Sequence, residues 1–149
     1  MKELKISAIR EGTVIDHIPS YNTFKVAEIL NLKEHKNIVS IATNLKSKKI
    51  GKKGLIKVGG KSLSEDDVNK IALIAPYATI SIIKDYEVVK KFKPKPPEII
   101  ERIVKCSNPR CITNAEKIKT KFKVIKREPL KVRCYYCERT ISSDEIQLL

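Results

Sequence analysis

The sequence predicts an α+β fold in two parts. Three observations carry that reading. Extended runs with a period of two alternate with amphipathic runs near 3.6 over the first ~90 residues. All four cysteines fall after them, as Cys106-Ser-Asn-Pro-Arg-Cys111 and Cys134-Tyr-Tyr-Cys137. Between the two regions lies Phe92-Lys-Pro-Lys-Pro-Pro97, with three prolines in four residues. That stretch cannot continue a helix or a central strand, so it reads as a stiff extended linker. The expected domains are therefore 1–93 and 98–149, with 94–97 between them.

The elements follow in order. Leu4 to Ile9 alternates apolar and polar residues and reads as a strand. After Gly12, Thr13 to Ile18 is a second extended run. Pro19-Ser20 opens a helix expected to run through Leu32, with Phe24, Ala27, Ile29 and Leu30 on one side. Ile38 to Leu45 is β-branched and strand-like, and Leu55 to Val58 is a short strand entering the Gly59-Gly60 turn. Ser64-Glu-Asp-Asp67 is a capping-box start with acid in the first turn. Val68, Ile71, Ala72 and Ala75 then mark one face of a helix that Pro76 ends. Thr79 to Ile83 and Tyr86 to Phe92 are strands joined at Lys84-Asp85. The order β-α-β-β-α-β with extra strands is the ferredoxin-like split βαβ pattern, two helices on an antiparallel sheet. In the second part, Glu98 to Val104 leads to the first cysteine pair. Phe122 to Ile125 and Leu130 to Val132 flank a turn at Arg127-Glu-Pro129. The second cysteine pair leads to Thr140-Ile141. This is a small antiparallel sheet.

The two cysteine pairs, 22 residues apart, are how a chain builds a tetrahedral four-cysteine zinc site. Each short pair aims two thiolates at one point, and the segment between closes the tetrahedron. Cys106, Cys111, Cys134 and Cys137 are thus the expected ligands of one structural zinc. Four thiolates leave no open position for water, which argues against a catalytic metal. Disulfides are the alternative, disfavoured by the C-x2-C pair and by an N-terminus, MKELKISAIREG, without the apolar run of a signal peptide. A redox C-x-x-C would not need the second pair. A module this small cannot bury enough apolar surface alone, so its fold should depend on the metal.

The net charge is +14. Residues 1–93 hold 18 basic and 10 acidic side chains and the remainder 13 and 7, so the excess is spread through both parts and is not a tail. Such a charge suits nucleic acid, nucleotides or an acidic partner. No apolar stretch is long enough to span a membrane, and a cytoplasmic location is expected. Catalytic signatures are missing: two histidines, no Gly-rich phosphate loop, no G-x-S-x-G and no H-E-x-x-H. Asp66 and Asp67 are explained by capping. His35, in a polar loop, should be solvated. Asp16-His17 would point to opposite faces of a regular strand, and could share a ligand only at a strand end or bulge. Lys46, Lys48, Lys49, Lys52, Lys53, Lys57 and Lys61 have no acid among them. They need solvent or an anion, and nearby aromatic residues are too few to stack bases along a single strand.

Arg10-Glu-Gly-Thr-Val-Ile-Asp-His-Ile-Pro19, Ile74-Ala-Pro-Tyr-Ala-Thr79, Asp85-Tyr-Glu-Val-Val89 and Cys106-Ser-Asn-Pro-Arg-Cys-Ile112 together resemble the aspartate carbamoyltransferase regulatory-chain family. The resemblance runs in order over nearly the whole chain. It implies an N-terminal allosteric domain that binds CTP as inhibitor and ATP as activator, with UTP able to act beside CTP. It implies a zinc domain that docks on catalytic-chain trimers, and regulatory chains paired through their N-terminal domains. Carried over by position, Ile9 and Tyr86 present backbone groups to the base, and Asp16 accepts from ribose hydroxyls. Lys57 reaches base and sugar. His17, Lys53 and Lys91 face the phosphates, while Val14, Ile83 and Val88 line the pocket. Ser7 and Ser81 stand where familiar members carry Glu and Asn, and Gly54 where an acid is familiar. Two readings from other classes compete: a zinc-ribbon nucleic-acid-binding protein, which leaves Asp16-His17 unexplained, and a nucleotide sensor with no catalytic partner.

Overall fold

A computed structural model describes residues 8–149. The chain divides into two compact units, the first ending at Pro94 and the second running from Lys95 to Leu149. Among the described residues no helix is long and apolar enough to cross a membrane.

In the first unit β1 (Gly12–Pro19) leads through a 3₁₀ turn at Ser20–Asn22 into α1 (Thr23–Ile29). The hairpin β2 (Val39–Ser47) and β3 (Gly51–Gly59) follows, then α2 (Glu65–Ile74), β4 (Thr79–Lys84) and β5 (Glu87–Phe92). The sheet order is β2-β3-β1-β4-β5 with antiparallel neighbours throughout. Strand β3 lies between β1 and β2, which is the split βαβ arrangement with β5 added at the edge. Ile15 sits between Ile56 and Ile80 in register, and all three are buried. Val26 on α1 and Ile71, Leu73 and Ala75 around α2 complete the core. The capping box at Ser64 and Asp67 is present. The β4–β5 turn is Asp85-Tyr86, both with positive φ (50° and 66°), the backbone that suits a tight two-residue hairpin. The strand expected over Leu4–Ile9 lies outside the described residues except for Ala8 and Ile9, which form no regular structure.

Helix α1 departs from expectation. It stops at Ile29, because Asn31 takes a left-handed conformation (φ 54°) that ends the helix. Its buried face is Thr23, Val26 and Leu30, while Phe24 is 64% exposed. The opening 3₁₀ turn has three residues per turn, so it resets the phase that a continuous helix from Ser20 would have had. His35 also differs. It is half-buried, and its Nε2 lies 2.7 Å from the Gly59 carbonyl oxygen, tying the loop to the end of β3. Gly54 has a steric reason: a Cβ there would overlap the Thr23 hydroxyl where α1 crosses β3.

The second unit contains β6 (Ile99–Glu101), β7 (Val104–Lys105), α3 (Ile112–Ala115), β8 (Lys121–Arg127), β9 (Leu130–Cys134), β10 (Thr140–Ser142) and β11 (Gln147–Leu148). Four strands form an antiparallel sheet in the order β10-β9-β8-β6, and β11 pairs with β7. The core is Ile100, Phe122, Leu130, Val132 and Ile141. On the outer face of the sheet, Lys123 stands directly opposite Arg133, and Lys126 opposite Lys131. The first unit has the same feature at Lys46 and Lys52. Like charges placed so destabilise a sheet by fractions of a kcal/mol each, on the order of 0.2–1.

Candidate functional site

Cys106 follows β7, Cys111 precedes the first residue of α3, Cys134 ends β9, and Cys137 lies in the turn beyond it. Folding the small sheet therefore brings both cysteine pairs to one place. All four Sγ atoms lie within 4.8 Å of one another. Cys106 and Cys137 are 3.5 Å apart and Cys111 and Cys134 3.7 Å. The edge of a tetrahedron with metal–sulfur bonds of about 2.3 Å is about 3.8 Å, so the thiols fit zinc. The knuckle is braced from within. Asn114 Nδ2 donates to the carbonyls of Cys106 (2.9 Å) and Asn108 (2.7 Å), and the Thr113 hydroxyl donates to Cys111 Sγ at 3.2 Å. The thiols themselves titrate apart. Burial pushes Cys106 up to about 12 and raises Cys134. Burial acts the same way on Cys137, but the Arg139 amide, Asn108 and the neighbouring thiols draw it down to about 7. Only a bound cation lets four clustered thiolates coexist.

The second cluster lies on the face of the first sheet opposite its Ile56–Ile15–Ile80 core row. Val14 is opposite Lys57 on β3 and Ser81 on β4, and Ser81 is opposite Lys91 on β5. Lys57, Val14, Ser81 and Lys91 thus form one row across four strands. Asp16 is opposite Thr79, and Ile83 opposite Val88, on the same face. The β1–β3 register shifts between Ile15 and Ile18, and His17 has a φ of 58°. This bulge lets Asp16 and His17 meet the same space, which a regular strand forbids. Asp16 Oδ1 accepts the His17 N–H at 2.7 Å, and His17 Nδ1 is 3.1 Å from the Thr79 hydroxyl. Lys53 Nζ lies 2.8 Å from Asp16 Oδ1 and 3.1 Å from Oδ2.

The electrostatics follow from these contacts. Burial would raise the Asp16 carboxyl, but the Lys53 ammonium and the His17 N–H outweigh it and hold it below the ordinary value. Burial, aided by Lys53, Lys49 and Lys91, holds the His17 imidazole low against the pull of Asp16. Ile9 precedes β1 and is 9% exposed. Tyr86 is exposed at the hairpin turn, and its N–H donates to the Arg10 carbonyl at 3.0 Å. The seven-lysine run divides. Lys57 stands on the row, Lys53 lies farther along β3 beside Asp16, Lys46, Lys48, Lys49 and Lys52 are at the far end of the β2–β3 hairpin, and Lys61 is beyond β3. Thr79 escaped the reading of the sequence. Its one signal is its place two residues before Ser81, on the same side of an alternating strand.

These features define a class: a two-unit α+β chain that joins a split βαβ sheet with a basic open face to a four-cysteine metal-binding unit. Residues 4–95 match the family model described as "Aspartate carbamoyltransferase regulatory chain, allosteric domain", and residues 98–147 match that of the metal binding domain. The chain is 60% identical over 148 residues to the aspartate carbamoyltransferase regulatory chain of Pyrococcus abyssi, covering 98% of this chain and 97% of that one. It is equally similar to that of Pyrococcus horikoshii and 44% identical to that of Bacteroides thetaiotaomicron over 146 residues, 98% of this chain and 95% of that one. The chain belongs to the aspartate carbamoyltransferase regulatory-chain family, with an allosteric and a metal-binding domain. The matches span both units, so the zinc-ribbon nucleic-acid reading is not favoured.

Proposed function

We propose that the allosteric domain binds CTP and ATP at one shared site, the open face around Asp16, His17 and Lys53, to control a catalytic chain held by the zinc domain. The observation that carries this is the convergence of Asp16, His17, Lys53, Val14, Lys57 and Lys91 on one sheet face through register and a bulge. A triphosphate carries about four negative charges near neutral pH, and Lys53, Lys91 and His17 supply cationic and donor groups suited to it. Asp16 accepts from ribose hydroxyls, and Lys57 reaches base and sugar. Ile9 and Tyr86 read the base through backbone groups, which any base with a donor and an acceptor can satisfy. Val14, Ile83 and Val88 supply the apolar wall. UTP joins CTP as a second ligand of this domain.

The partner is a trimer of catalytic chains, docked on the zinc domain. The regulatory chain acts in the cytoplasm, where thiols stay reduced and available to metal. It pairs with a second copy through the allosteric domain. Support for pairing comes from the edge of β2, which has no strand neighbour among the described residues, and the apolar groove of about 560 Å³ beside it, lined by Phe24, Leu32, Val39 and Ile41. Regulation requires CTP and ATP to favour different states, because a ligand indifferent to two states shifts neither.

Titration calorimetry of the purified chain tests the shared site. CTP and ATP should each bind once per chain and displace one another. Independent sites, or no binding of either at millimolar concentration, would sink the assignment. The purified chain alone should show no carbamoyltransferase activity.

A further inference from the structure

The cluster assigned to phosphate holds a negative charge of its own. Lys53 Nζ bridges both oxygens of Asp16, at 2.8 and 3.1 Å. The carboxylate is anchored, because Oδ1 also accepts the His17 N–H in the bulge. His17 Nδ1 is 4.0 Å from Oδ2, and the Thr79 hydroxyl holds the same ring nitrogen. Lys53 is the movable partner, a point charge on a flexible four-carbon stem. An outside anion that recruits Lys53 competes with Asp16 for the ammonium and comes to lie beside the carboxylate.

We propose that Asp16 determines specificity by acting as a built-in counter-anion of Lys53, screening the site against phosphate-only anions while admitting ribonucleoside triphosphates. The proposal rests on the nucleotide reading above and deepens it. Inorganic tripolyphosphate resembles the nucleotide's tail in charge. When it draws Lys53 away, Asp16 loses its cation and gains a polyanion as neighbour, and nothing on the ligand answers the carboxylate. A ribonucleotide draws Lys53 away too, but its two ribose hydroxyls then donate to Asp16, and hydrogen bonds to an ionised acceptor are the stronger kind. The phosphate and ribose contacts are thereby coupled through one side chain. Discrimination is a difference of two affinities, and a repulsive element aimed at the wrong ligand widens it.

The test is calorimetric titration of wild type and Asp16→Asn with CTP and with sodium tripolyphosphate, at fixed ionic strength. Asparagine keeps the Oδ1 acceptor for the His17 N–H, so the bulge is retained, and a thermal melt checks the fold. Tripolyphosphate should bind Asp16→Asn about ten-fold or more tightly than wild type, the scale of one charged contact. CTP should bind it no more tightly than wild type. Adding Lys53→Met should erase the gain, because the gain runs through the released ammonium. A test that needs no variant uses 2′,3′-dideoxycytidine triphosphate, which lacks both hydroxyls and should bind wild type at least about ten-fold more weakly than CTP. If wild type binds CTP but tripolyphosphate does not distinguish it from Asp16→Asn, the proposal is overturned. Equal binding of CTP and its dideoxy form, or a gain that survives Lys53→Met, overturns it as well. If wild type binds no CTP, it is the nucleotide reading that fails.

Discussion

Cys111→Ala should leave the first unit folded and unfold the second. The second unit spans Lys95 to Leu149, a size at which a single core is marginal without a metal. Its sheet packs around Phe122, Val132 and Ile141, and two of its metal ligands end or follow β9 directly. Loss of one thiolate from a closed four-sulfur site removes most of the metal's contribution to folding, which is on the order of 10 kcal/mol for structural zinc. Metal analysis after dialysis should give one zinc per wild-type chain and much less for the variant. Hydrogen exchange should show protection kept in β1–β5 and lost in β6–β11. A variant that kept its zinc and its protection, or a wild type whose alkylated form carried a disulfide by mass spectrometry, would contradict the account. Chelation should likewise release the chain from its catalytic partner.

Lys53→Ala and Lys91→Ala should each weaken CTP and ATP about ten- to a hundred-fold, the equivalent of about 1.5–3 kcal/mol for a charged contact. The proposed site sets both lysines against the phosphate tail that the two nucleotides share, so the loss should be alike for both. A loss confined to one nucleotide would place that lysine at the base instead. Tyr86→Phe should matter little, because the contact assigned to Tyr86 runs through its backbone.

His17 adds a pH signature. In the free chain burial, together with Lys53, Lys49 and Lys91, holds its pKa below the ordinary value, against the opposing pull of Asp16. In the proposed complex a phosphate beside the ring would favour the imidazolium and raise its pKa. The protonated form is thus the tighter binder. Its advantage is complete below the lowered pKa of the free chain and is lost as pH rises through the raised pKa of the complex. His17→Ala should flatten that slope, as read by CTP affinity across about pH 5 to 8. A slope unchanged in the variant would assign the titration to another group.

Much of this was legible from residues alone. The cysteine spacing predicted the metal centre, because ligand geometry constrains sequence spacing tightly. The extended runs at Thr13–Ile18 and Thr79–Ile83 located strands, and the capping box at Ser64 located α2. What escaped depends on contacts distant in sequence or on small shifts of phase. A 3₁₀ turn at Ser20–Asn22 rotated α1 and put Phe24 outside. The bulge that unites Asp16 with His17 is a local slip of register against β3, and no local signal distinguishes it from a regular strand. His35 reached a carbonyl 24 residues away. Thr79 acquired its role only once β4 lay beside β1, and the fit of Gly54 only once α1 crossed β3.

The directly opposed cations at Lys123 and Arg133, Lys126 and Lys131, and Lys46 and Lys52 bear on ionic strength. Their repulsion lies at the surface, where salt screens it over a Debye length of about 10 Å at 0.1 M. The attraction of Lys53 and Lys91 for a polyanion is screened by the same ions. Dissolved salt therefore acts on this chain in two opposing directions, steadying the folded sheets while weakening the hold of Lys53 and Lys91 on the proposed polyanion.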